Sequence, residues 1–244
     1  MTKIFKFCHF SMSFIINIIV GFIQTILFNP IDKAIYNSIT NNNSILLHTN
    51  WNKPFSGLSN NIYMRIITGG TYFYLIDHTK NMGSIQASLT VSATTSIILN
   101  PFNVIKYRSY SKNTSLYKSL IINYKKYGFK FGIIGIETLF LRNLIFNTIY
   151  ISYKNDDNNI IYNCGIIGIA TIMSSPLYYC NNMKYCNGDH SYYEIIAKFY
   201  NGLKLSKHKI IYTTKQFGIG YGTIRNCMSL YIGQLLYSTF TSMT

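Results

Sequence analysis

Acidic side chains are scarce in this chain. Seven of its 244 residues are Asp or Glu against 22 Lys or Arg, a formal net charge of +15. The seven (Asp32, Asp77, Glu137, Asp156, Asp157, Asp189 and Glu194) form no paired-carboxylate set, and no nucleophile–base pair stands in for one. The five cysteines make no CxxC pair and have no zinc spacing to the five scattered histidines. The expectation is a protein that is not an enzyme and carries no metal or cofactor. Charge of either sign is sparse, at 12%, about half the share in a soluble domain. The basic residues are dispersed outside any nucleic-acid module, so no nucleic-acid partner is expected. Proline is scarce too, with four in the chain.

What is present is apolar and aromatic. Hydrophobic residues make up 48%, with 22 Tyr and 16 Phe. The mean hydropathy of +0.14 is held down by frequent Asn and Tyr. The Asn/Ile/Lys/Tyr bias is that of an A+T-rich genome, and the basic excess suits anionic lipid headgroups and anionic solutes. Six apolar segments can be drawn: Phe10 to Tyr36, Asn60 to Lys80, Ser84 to Tyr107, Thr138 to Lys154, Ile160 to Lys184 and Gly218 to Thr241. About 20 residues cross a bilayer as a helix, and most of these segments suffice. The first follows two lysines but runs on to Phe28 without a small-residue cleavage site, so it reads as a span and not a signal peptide. The polar residues Asn17, Gln24, Arg142 and Arg225 inside the segments should face protein or water, not lipid.

Three of the four prolines end apolar stretches. Pro30, Pro101 and Pro176 are 71 and 75 residues apart, which suggests an internal repeat. Each proline segment is followed by one carrying an arginine: Arg65, Arg142 or Arg225. In the second and third cases the arginine lies seven residues after a glycine, Gly135 or Gly218; Gly57 to Arg65 is eight. Between the two kinds of segment, 115–127 and 192–204 read as short amphipathic helices. The chain is read as one all-α membrane domain, 1–244, with repeats at about 1–82, 83–157 and 158–244. The prolines kink their helices by removing a backbone hydrogen bond and crowding the preceding turn.

On these features the chain resembles the mitochondrial carrier family, over nearly its whole length. The resemblance implies six transmembrane helices in three pseudo-threefold repeats with short matrix-side helices. The family's odd helices end in Pro-x-(Asp/Glu)-x-x-(Lys/Arg). This chain departs from that pattern: Asp32 is kept with Ile35 at the basic position, Asn103 stands with Lys106, and Tyr178 with Asn181. The first two matrix-side loops are shorter than the family's. The composition is also similar to that of carrier-like proteins of giant DNA viruses.

In the family, the acid of one repeat meets the base of the next and closes the matrix side. Carried onto this chain, that rule pairs Asp32 with Lys106, Asn103 with Asn181, and Tyr178 with Ile35, each matched in kind. The opposite gate keeps Asp77 and Lys80 in repeat one and Tyr237 in repeat three, so a weak cytoplasmic closure is expected. Thr25, Ser96 and Thr171 lie seven residues before Asp32, Asn103 and Tyr178, two turns up the same helix face. They line a cavity or, being small, pack helices. The resemblance puts Arg142 and Arg225 at the substrate contacts, with Asn143 and Asn226 beside them; Arg65 sits one residue past its expected place. A guanidinium fork suits carboxylate or phosphate oxygens.

The resulting expectation is a monomeric multi-pass exchanger of the mitochondrial inner membrane (the host's, if viral), in contact with membrane lipid such as cardiolipin. Nucleotides or deoxynucleotides are the first substrate class. The Arg142-Asn143 pair leans instead to keto acids or dicarboxylates, and a degenerate, non-transporting carrier-like protein is a further alternative.

Overall fold

A computed structural model describes residues 2–79, 82–112, 114–153, 159–186 and 188–242. Side chains are described within these ranges except at 2–15, 17, 65, 68–74, 76–78, 116, 234, 237, 238, 241 and 242. Every regular element among them is helical. The helices are α1 (Thr2–Asn41), α2 (Leu58–Thr79), α3 (Ser84–Lys112), α4 (Leu116–Tyr127), α5 (Ile136–Tyr153), α6 (Ile160–Cys186), α7 (Tyr192–Leu205), α8 (Lys209–Gln216) and α9 (Tyr221–Ser242). Short 3-10 turns cover His48–Trp51 and Gly128–Ile133.

The six apolar segments are the six long helices, and the two amphipathic ones are α4 and α7. Their ends follow local chemistry. Ser115 caps α4 by accepting from the Lys118 N–H, and Gly128 closes it with a φ of 58°. Ser191 and Glu194 form a reciprocal capping box at α7. Pro30, Pro101 and Pro176 lie inside α1, α3 and α6, which continue for about three turns beyond them.

The long helices form a closed ring in which each packs on two others, in the order α1, α2, α3, α5, α6, α9 and back to α1. The three proline helices also meet one another. A short element packs on each of them: the 48–51 turn on α1, α4 on α3, and α7 on α6.

Polar side chains are buried beside the apolar ones, and many large apolar side chains are exposed. Ser88, Ser92, Ser96, Asn100, Asn147 and Lys106 are buried, while Leu89, Ile97, Ile169, Met173 and Ile224 are exposed. So much exposed apolar surface suits an apolar surrounding. By length and composition, two described helical stretches are fit to cross a membrane: Ile18–Asn41 within α1, and α6. Six comparable spans were expected, and two described stretches meet these criteria. Polarity and length set α3 and α5 apart from them. α3 carries Ser, Thr and Asn as well as Lys106 and Arg108. α5 has 18 residues, about 27 Å of rise against about 30 Å of hydrocarbon.

Candidate functional site

Three described charges, from α1, α3 and α9, meet at Asp32. Its carboxylate accepts from Arg225 twice, Nε to Oδ1 at 2.6 Å and Nη2 to Oδ2 at 3.0 Å. Lys106 Nζ is 3.8 Å from Oδ2. These side chains retain between 11% and 21% of their exposure, so water screens them only partly. Phe28 covers the Arg225 guanidinium at 5.2 Å. One acid on α1 thus links α9, bidentately, to α3, through a longer ion pair.

The Arg142 guanidinium lies over the Tyr178 ring, 4.8 Å from its centroid. The side chain is half-buried, and among the described residues no carboxylate lies within ion-pair distance of it. The neighbouring asparagines face the adjacent proline helix. Asn143 donates to Ser96 Oγ at 3.1 Å, and Asn226 donates to Thr171 Oγ1 at 3.0 Å. Asn147 repeats the contact one turn on, donating to Ser92. Thr25 is buried and donates to its own helix, at the Gly21 carbonyl.

Past the prolines the three helices bring four tyrosines together: Tyr36 from α1, Tyr107 and Tyr110 from α3, and Tyr185 from α6. Tyr107 stacks on Tyr185 at 5.3 Å and lies 4.9 Å from Tyr36. Two hydroxyls fasten neighbouring helices. Tyr110 donates to Asn29 at 2.9 Å, and Tyr185 donates to Asn100 at 2.7 Å. Both acceptors immediately precede a proline. Both rings also abut a glycine of left-handed conformation that opens a following helix: Gly57 (φ 77°) against Tyr110, and Gly135 (φ 73°) against Tyr185. The third such glycine, Gly218 (φ 66°), abuts Ile39, the residue in the matching place on α1. A Cβ at any of the three would come within 3.3 Å of that partner. A positive φ together with this crowding is what restricts each site to glycine.

No protein-family model matches this chain, and no curated protein matches it.

The sequence-predicted site residues divide into three groups. Those brought together are Asp32 with Lys106, and Tyr178, which packs on the apolar cluster containing Ile35. Two features differ from the expected pairing. Asp32 faces Lys106 as expected, and a closer described partner is Arg225, because ring closure sets α9 directly beside α1. Arg225 therefore does not present a bare charge to a solute. The Asn103–Asn181 amide pair does not form among the described residues: Asn181 Oδ1 accepts from Thr138 on α5 at 3.3 Å. Arg65, Asp77, Lys80 and Tyr237 have side chains outside the described residues.

The tyrosine cluster was missed from the sequence. A signal was present: Tyr36 and Tyr107 stand six residues past their prolines, and Tyr110 and Tyr185 nine past. Among 22 tyrosines, that recurrence is easily overlooked.

Proposed function

We propose that the chain is a multi-pass membrane exchanger of anionic metabolites, with six spans in three repeats. Arg142 is the observation that carries this reading. A guanidinium held on Tyr178 inside a ring of helices, with no described carboxylate in reach, offers its fork to an oxyanion. The outward apolar surface supports residence in a membrane, and the threefold recurrence of proline, left-handed glycine and facing side chain supports three repeats. Long helices such as α3 and α5 are too polar or too short to be ideal spans alone, so neighbours must satisfy their polar groups, as the Asn–hydroxyl contacts do.

A solute bound at Arg142 would sit near the Asp32 group, and the two ends of the ring would open alternately around it. Its differential affinity for the occluded state drives the exchange. Nucleotides are the first substrate class, with the mitochondrial inner membrane as the site of action. The engagement of Arg225 by Asp32 favours a second class of smaller anions, keto acids or dicarboxylates, because it leaves less positive charge for a polyphosphate.

The test is uptake by liposomes containing the full chain, offered labelled nucleotides and 2-oxo acids. Uptake of one class, reduced about tenfold or more by Arg142→Ala, is expected, since one charge-assisted fork is removed. No uptake of any anion would sink the proposal, and uptake of 2-oxo acids alone would replace the first class by the second.

A further inference from the structure

We infer that the tyrosine cluster of α1, α3 and α6, more than the Asp32–Lys106 ion pair, is the seal that closes one end of the proposed carrier; the inference rests on the transport reading above. The cluster lies where the three proline helices meet, and in the proposed carrier a solute passing between those helices would have to part it. Its rings fill that space. Tyr36 and Tyr185 are fully buried, Tyr110 is 1% exposed and Tyr107 9%. Tyr107 is the hub, in contact with Tyr36, Tyr110 and Tyr185 at centroid distances of 4.9, 5.9 and 5.3 Å. Stacked and edge-on aromatic pairs add specific attraction to the area they bury.

The seal is fastened by polar anchors at its rim. Asn29 Oδ1 accepts from Tyr110, whose oxygen in turn accepts from Asn61 at 2.7 Å; Asn100 accepts from Tyr185. These bonds cross from α3 to α1 and from α6 to α3. Separating the proline helices must break them together with the ring contacts.

The ion pair is the weaker element. At 3.8 Å it lies beyond hydrogen-bond range, and the carboxylate is already claimed twice by Arg225. Lys106 has a second attachment: its Nζ lies 5.0 Å from the Tyr107 centroid and 5.5 Å from that of Tyr110. The lysine therefore joins the carboxylate above to the aromatic faces below, and the cation–π contact couples the charge group to the seal.

Chloride entry into lucigenin-loaded phosphatidylcholine liposomes containing the full chain tests this without requiring exchange. The wild type should be tight. Tyr107→Ala should admit chloride about tenfold faster or more, the loss of one or two ring contacts. Tyr107→Phe should stay tight, because it keeps the stack. Asp32→Asn should leak less than Tyr107→Ala. Should Tyr107→Ala fail to reconstitute with wild-type helicity, Tyr107→Leu, which keeps bulk but not stacking, and Tyr36→Ala on another helix are expected to leak in its place. Alanine and leucine variants as tight as the wild type, or an Asp32→Asn variant that leaks as fast as they do, would overturn the inference. A wild type that exchanges no anion would defeat the proposed function and still leave the chloride comparison readable.

Discussion

Replacing Asp32 by asparagine probes the charge group most directly. The substitution keeps shape but removes the charge that accepts two bonds from Arg225 and faces Lys106. An amide offers one acceptor where the fork needs two, and its NH2 points a donor at a donor. Breaking a buried pair by removing one partner costs about 3–5 kcal/mol. The residual exposure of 15% for Arg225 and 21% for Asp32 places this pair near the lower end, about 3 kcal/mol. That corresponds to about two orders of magnitude in the folding equilibrium. Thermal unfolding in detergent of the wild type, Asp32→Asn, Arg225→Gln and the double variant gives the coupling. The double variant should be no less stable than Asp32→Asn, since it removes the stranded cation. An added anion, ADP or 2-oxoglutarate, should raise the midpoint of Asp32→Asn more than that of the wild type, because the vacated fork can bind it. Effects of the two single substitutions that add within about 0.5 kcal/mol, together with equal anion shifts, would refute the coupling and the role given to Asp32.

Gly135→Ala should lower the thermal midpoint. A left-handed non-glycine residue costs about 1–2 kcal/mol, and its Cβ would lie 2.9 Å from Asn181 Oδ1. The first turn of α7 should loosen in acid. Hydrogen bonding from His190 and from the Ser191 N–H holds the Glu194 carboxyl below the usual carboxylate range. A depressed folded value means that its contribution is full above the ordinary value and is lost as pH falls through the depressed one. Hydrogen exchange in that turn, corrected for intrinsic rates, should accelerate only as the pH falls below the ordinary glutamate value; unchanged protection there would contradict it.

The helices were legible because their signals are local. Apolar runs, serine caps and lysine-flanked amphipathic stretches marked α4 and α7 to within a residue. The glycine spacing that aligned Gly135 with Gly218 turned out to mark left-handed residues opening α5 and α9. Hydropathy was less informative. The same Asn and Ser residues that make the helices poor spans in isolation bond to one another across the ring, as Asn143 and Asn147 do with Ser96 and Ser92. Residue type alone does not show which polar groups will find a partner.

The sequence by itself determined the helical content, the threefold placement of proline and glycine, and the shortage of acid that makes Asp32 a contested partner. Each follows from residue type and spacing along one stretch of chain. Only the tertiary structure decided that Asp32 meets Arg225, 193 residues away, and that four tyrosines from three helices stack where those helices cross. Both depend on closing the ring of six helices. Closure sets α9 against α1 and turns Tyr36, Tyr107, Tyr110 and Tyr185 toward one another, a geometry that the periodicity of one helix does not contain.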